Sequence, residues 1–125
     1  MKIMHIENDE RFGQFLKEGL ARFGFHVDHY YSTIEALQVL RSNPTAYQIV
    51  ICDGDPGEFD ALLVVNEIKE TNPQIRIIAQ SNSPQEVKRM IEGGVEAYAP
   101  RSLSEDDRRA LVEMLNDMKN IFGFR

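Results

Sequence analysis

Short apolar runs alternate with longer stretches of helical period along the whole chain. Ile3-Met4-His5-Ile6 is brief, apolar and suited to a strand. Phe12, Phe15, Leu16, Leu20 and Phe23 then recur at three- and four-residue spacing, which predicts one buried helix face closed by Gly24. Phe25 to Tyr30 alternates like a half-exposed second strand. Ser32 with Glu35 three residues on reads as a capping box, opening a helix with Ala36, Leu37 and Leu40 inward and Asn43-Pro44 at its end. Ile49-Val50-Ile51-Cys52 is apolar throughout, as a central strand buried on both faces would be, and runs into the loop Asp53-Gly54-Asp55-Pro56-Gly57. Ala61, Val64, Val65 and Ile68 mark a third helix closed by Asn72-Pro73, and Ile75 to Ala79 a fourth strand. Ser83-Pro84 with Glu86 caps a fourth helix leading to Val87 and Ile91, stopped by Gly93-Gly94. Val95 to Tyr98 is a short fifth strand, and Leu111, Leu115, Met118 and Phe122 form the inner stripe of a last helix.

Five βα units in series predict a parallel sheet covered on both faces. At 125 residues this is an α/β fold of flavodoxin-like type, a three-layer (βα)5 sandwich with strand order 2-1-3-4-5. One domain, 1–125, is expected, with 119–125 as the tail of the last helix. The hydrophobic share of 42% and charged share of 27% are ordinary for a globular domain. Fourteen basic against twenty acidic residues give a net charge of −6 and a pI near 5.0, which argues against nucleic acid or an anionic membrane surface as a direct partner. A single cysteine, Cys52, excludes a disulfide framework and a cysteine-based zinc site, and reads as a small buried hydrophobe. No run approaches the roughly 18 apolar residues of a membrane span, and Met1-Lys2-Ile3-Met4-His5 leads at once into polar residues, so a cytoplasmic protein is expected.

In such sheets ligands bind at the carboxyl ends of the strands, where the first and third strands are neighbours. Glu7-Asn8-Asp9 follow the first strand, Asp53 and Asp55 the third, Gln80-Ser81-Asn82 the fourth and Ala99-Pro100-Arg101-Ser102 the fifth. Carboxylates from two adjacent strands therefore meet at one edge. Two such charges repel by about 4 kcal/mol at 4 Å and an effective dielectric near 20. A hard cation with oxygen ligands, Mg²⁺ first, would relieve that repulsion. The Ser81 hydroxyl and Arg101 guanidinium at the same edge suit phosphoryl oxygens. Asp9 stands where a helix N-cap belongs, whereas Asp53 ends an apolar strand and is held near a low-dielectric core. His5 reads as a core histidine. His26 and His29, three apart on a strand, point to opposite faces and are not expected to share a metal.

The set in register resembles the receiver domain of two-component response regulators, from Met1 to about Met118. The resemblance rests on the acidic cluster after strand one, on Tyr47-Gln48-Ile49-Val50-Ile51-Cys52-Asp53, and on Asp60 seven residues later. Ser81, Gly94-Val95-Glu96-Ala97-Tyr98 and Arg101 complete it. It implies that Asp53 accepts a phosphoryl group from a histidine kinase or phosphotransfer protein. A carboxylate suits this because it is already anionic at neutral pH. It further implies Mg²⁺ held by Asp53, Asn8, the backbone carbonyl of Asp55, and Glu7 directly or through water. Ser81 matches the hydroxyl that bonds a phosphoryl oxygen, and Tyr98 the aromatic switch residue. Partners would be the kinase and a downstream protein or effector domain. The docking or homodimer face would be that of the fourth helix, fifth strand and fifth helix, to which Met90 and Met114 could add apolar area. Ile121 and Phe124, without an evident place in the core, either fold back or extend such a surface. No enzymatic activity beyond self-phosphorylation and self-dephosphorylation is implied.

Three departures mark the chain as an atypical member. Asn8 stands where the family has its main metal-binding aspartate, so an amide oxygen without charge replaces a carboxylate. Arg101 stands where the family has a lysine, with Pro100 before it and Ser102 after it. The loop after Asp53 carries its proline one place early. The sequence leaves open a working phosphoacceptor and a pseudo-receiver that acts only by binding partners. A remoter alternative is that Asp53-Gly54-Asp55 resembles the Asp-x-Asp nucleophile motif of haloacid-dehalogenase-type phosphatases, where turnover of p-nitrophenyl phosphate abolished by Asp55→Asn would be the sign. The chain is expected to be a stand-alone receiver or the N-terminal part of a larger regulator.

Overall fold

The computed structural model describes residues 1–53 and 60–123. Five strands alternate with five helices: β1 (Lys2–Ile6), α1 (Glu10–Ala21), β2 (His26–Tyr30), α2 (Thr33–Ser42), β3 (Ile49–Asp53), α3 (Ala61–Thr71), β4 (Arg76–Gln80), α4 (Pro84–Glu92), β5 (Ala97–Ala99) and α5 (Glu105–Phe122). All strand pairs are parallel, and the order is β2-β1-β3-β4-β5. This is the expected topology. β1 and β3 lie side by side in register Ile6 to Cys52, so Glu7 and Asp53 leave the sheet at the same edge.

Alternation along each strand divides the core into two layers. Met4, Ile6, Val50, Cys52, Ile77 and Ala79 face α2, α3 and α4, packing against Leu40, Val64, Ile68 and Met90. Ile3, Ile49, Ile51 and Ile78 face α1 and α5, packing against Phe12, Leu16, Leu20, Leu111 and Leu115. All five residues of β3 are buried, as a central parallel strand requires.

The helix starts follow their caps. Asp9 accepts the Phe12 N–H at the head of α1, Ser32 that of Glu35 for α2, and Ser83 that of Glu86 for α4. Asp60 caps α3 through the Leu62 N–H, and Ser104 caps α5 through that of Asp107.

Several expected inward positions are corrected. Phe15 and Phe23 are exposed, because the buried line of α1 runs Phe12, Leu16, Leu20 and Phe23 lies past the helix end. In α4 the buried residue is Met90, while Ile91 faces outward, because this helix covers only the β4–β5 edge and turns a single side chain into the core. Met90 therefore adds no area to an outer face. Met114 is partly buried against the α1–α5 layer. Phe122 leaves the inner stripe and lies over the Arg76 guanidinium at 3.9 Å from its ring centroid. Ile121 is 74% exposed rather than folded back, and Phe124 lies outside the described residues. β5 starts two residues later than expected: after Gly94 at φ 104° the Val95 N–H is held by a turn bond to Met90 O, and Glu96 enters the sheet by donating its N–H to Ile77 O on β4.

Candidate functional site

Glu7 is the first residue past β1. Its backbone is held from both sides: its N–H donates to Tyr30 O, and the His29 ring donates from Nε2 to its carbonyl at 2.7 Å. The side chain is fully buried. Such a carboxylate needs charged or hydrogen-bonding partners, and it accepts three hydrogen bonds from two residues. Arg101 donates from Nε to Oε1 at 2.9 Å and from Nη2 to Oε2 at 3.4 Å, and the Asp9 N–H donates to Oε2 at 2.9 Å.

Arg101 is placed by four contacts besides Glu7. Asn82 holds its backbone in a reciprocal pair, donating from Nδ2 to Arg101 O and accepting from Arg101 N, both at 2.9 Å. Nη2 also lies 3.4 Å from Asp9 Oδ2, and the guanidinium stands 4.6 Å from the Phe12 ring centroid. Glu7 above all, with Asp53 and Asp9 behind it, holds the guanidinium pKa above its ordinary value. Asp9 thus has the capping role expected of it and a second role against Arg101.

Asp53 ends β3 and is 5% exposed. Beneath it, burial pushes the Cys52 thiol up to about 12, with Asp53 and Glu7 adding to the rise, so the thiol stays protonated and packs as a hydrophobe. Ser81 follows β4, where its hydroxyl accepts the Ser83 N–H at 3.0 Å. Tyr98 on β5 is half exposed. With Ser81, Pro84, Val87 and Ile91 it lines a groove of about 610 Å³ between α4 and the end of β5. Pro100 is trans, as are all the described peptide bonds. Asn8 is exposed, and Asp55 lies outside the described residues.

Of the residues singled out from sequence, Glu7, Asp9 and Arg101 are in direct contact, with Asp53 close enough for its charge to act on Arg101. Ser81 and Tyr98 share the adjacent groove. His29 was missed, and Gln80 and Asn82, named from sequence only by their place after the fourth strand, have roles it did not assign. Asn82 fixes Arg101, His29 fixes Glu7, and Gln80 beneath them pairs its Oε1 with His5 Nε2 at 3.0 Å. A polar residue ending an apolar strand was the available signal for Gln80. Nothing in local spacing marked His29, or pointed Asn82 toward Arg101.

Of the donors implied for Mg²⁺, Glu7 is paired with Arg101, Asn8 is exposed and Asp55 lies outside the described residues. Oε1 of Glu7 accepts from Arg101, Oε2 accepts from Arg101 and the Asp9 N–H, and Asn8 brings no charge. Among the described residues no group of three or more His, Cys, Asp or Glu is arranged to hold a metal ion.

No family model and no curated protein matches the sequence. Solved structures do match its fold. A response regulator receiver domain protein from Clostridium thermocellum is 20% identical with a TM-score of 0.80, covering 97% of this chain and 98% of that one. A two-component response regulator from Clostridium difficile is 21% identical with a TM-score of 0.77, covering 99% and 97%. An orphan response regulator of H. pylori is 23% identical with a TM-score of 0.73, covering 94% of each chain. The chain therefore has the flavodoxin-like (βα)5 fold of response regulator receiver domains over nearly its whole length. Among the described residues no helix is long and apolar enough to cross a membrane.

Proposed function

We propose that this protein is a receiver-type signalling domain of the two-component class that works by binding a protein partner and does not depend on Mg²⁺-assisted phosphorylation. The observation that carries the reading is the buried Glu7–Arg101 pair. A divalent ion drawing on that carboxylate would have to compete with the guanidinium that both of its oxygens already accept from. Displacing Arg101 would leave an uncompensated buried charge, a loss of about 3–5 kcal/mol for a fully buried pair. One-third exposure of the Arg101 side chain lowers that figure, but the direction stands. The partner surface would be the α4–β5–α5 face, where Ile91 and Tyr98 leave apolar area in the groove. Its partner would be a kinase, a phosphotransfer protein or a downstream target. A second copy of the chain would use the same face.

The competing reading keeps Asp53 as a phosphoacceptor, and one observation favours it. Asp53 sits nearly buried at the end of β3, with Ser81 and Arg101 at the ends of the neighbouring β4 and β5. Intact mass after incubation with acetyl phosphate, with and without Mg²⁺, separates the two. The proposed function expects no added phosphoryl mass in wild type or in Asp53→Asn. A Mg²⁺-dependent gain of one phosphoryl group, absent in Asp53→Asn, would establish the phosphoacceptor instead.

A further inference from the structure

We propose that Arg101 is the domain's resident counter-cation, filling from within the chain the seat that a divalent ion would take at the acidic edge. The inference rests on reading the chain as a receiver-type domain and goes beyond it by assigning the positive charge of that edge to one side chain.

Glu7 is the only fully buried carboxylate among the described residues, and burial makes its charge the one most in need of compensation. A planar guanidinium meets a carboxylate with two donors at once, and Nε and Nη2 do so here. A metal ion drawing on Glu7 would compete for those same oxygens and would need several further oxygen ligands in near-octahedral array. Arg101 is also pre-set for the role. Asn82 clamps its backbone, Phe12 backs its plane and Asp9 takes the spare reach of Nη2. The α4 loop, α1 and the β1 end thus converge on one cation. An ammonium on a flexible stem would lack both the fork and the stacking. Asn8 fits the same account: with Arg101 supplying one positive charge to Glu7, a further carboxylate beside it is not required.

The test uses Mn²⁺ as the probe, with binding read from the loss of the free-ion paramagnetic resonance signal on the full chain. Wild type is expected to show no saturable binding that depends on Glu7, and Glu7→Gln to match it. Arg101→Gln, which removes the counter-cation of Glu7, should gain one saturable Mn²⁺ site that wild type lacks. The double variant Glu7→Gln/Arg101→Gln should lose that site. If Arg101→Gln does not fold by itself, Mn²⁺ is expected to restore its cooperative unfolding transition, and a failure to restore it would overturn the proposal. A saturable wild-type site lost in Glu7→Gln would overturn it too, as would a folded Arg101→Gln protein with no gain. Phosphoryl labelling of wild type without metal would refute the phosphorylation-independent function while leaving the role of Arg101 intact.

Discussion

His5 is fully buried under Phe12, with Nε2 against Gln80, and burial brings its pKa down to about 4. The unfolded chain takes up this proton near pH 6.5, while the folded one resists until about 4. Between those values the unfolded state binds more protons, so stability falls as pH falls and is complete above the window. The accumulated loss is about 3 kcal/mol at most. Urea unfolding at pH 7 and pH 4.5 should show a drop that His5→Gln, which cannot charge, largely removes. An equal drop in both proteins would count against this assignment. His5 was legible as a core residue because it stands inside an apolar strand. Asp9 was legible as a cap from its position before a helical stripe. The Glu7–Arg101 pair was not, because its members lie 94 residues apart and only the closed sheet brings their strand ends together. Sequence showed that both sat at the functional edge, yet not that they would neutralise each other.

At the scale of elements, caps and breakers set the boundaries well, because each acts within three or four residues. Ser32, Ser83 and Pro84 start their helices where the sequence puts them. Helix rotation was harder to read. Phe15 and Ile91 each belong to a plausible apolar stripe, but burial is decided by what lies opposite, and both helices turn a different line inward. Phe122 shows the same limit. Its helical spacing from Met118 and Leu115 suggests core, yet the last turn of α5 runs past the hydrophobic layer and the ring settles on Arg76 instead. Arg76 is otherwise tied to Glu96, so the ring links the helix end to the start of β4. Thermal unfolding should register Phe122→Ala as a loss of about 1 kcal/mol. Ile121→Ala, at an exposed neighbour, should stay within about 0.5 kcal/mol. Equal effects at the two positions would remove the anchoring role of the stack.

Across the whole molecule the topology was the most legible feature. Alternating elements, a strand without polar residues and a length of 125 residues leave few arrangements besides a doubly covered parallel sheet. That topology also fixed which residues gather at one edge, and so made Glu7, Asp53, Ser81 and Arg101 candidates before any geometry was known. What the edge does with them depends on side-chain pairing, and there the departures at Asn8 and Arg101 combine. One removes a negative charge, the other supplies a rigid positive fork, and the buried Glu7 is compensated from within the chain. On the proposed function such a domain would signal by the surface it presents, and the groove beside Tyr98 is the part of that surface nearest the edge. The most direct test is the amide proton–nitrogen spectrum of the wild-type chain, recorded before and after addition of Mg²⁺ with beryllofluoride, a phosphoryl mimic. The account expects the resonances of Ser81, Tyr98 and Arg101 to stay in place. Saturable shifts at those amides, absent in Asp53→Asn, would contradict it and return the domain to the phosphorylation-driven receivers.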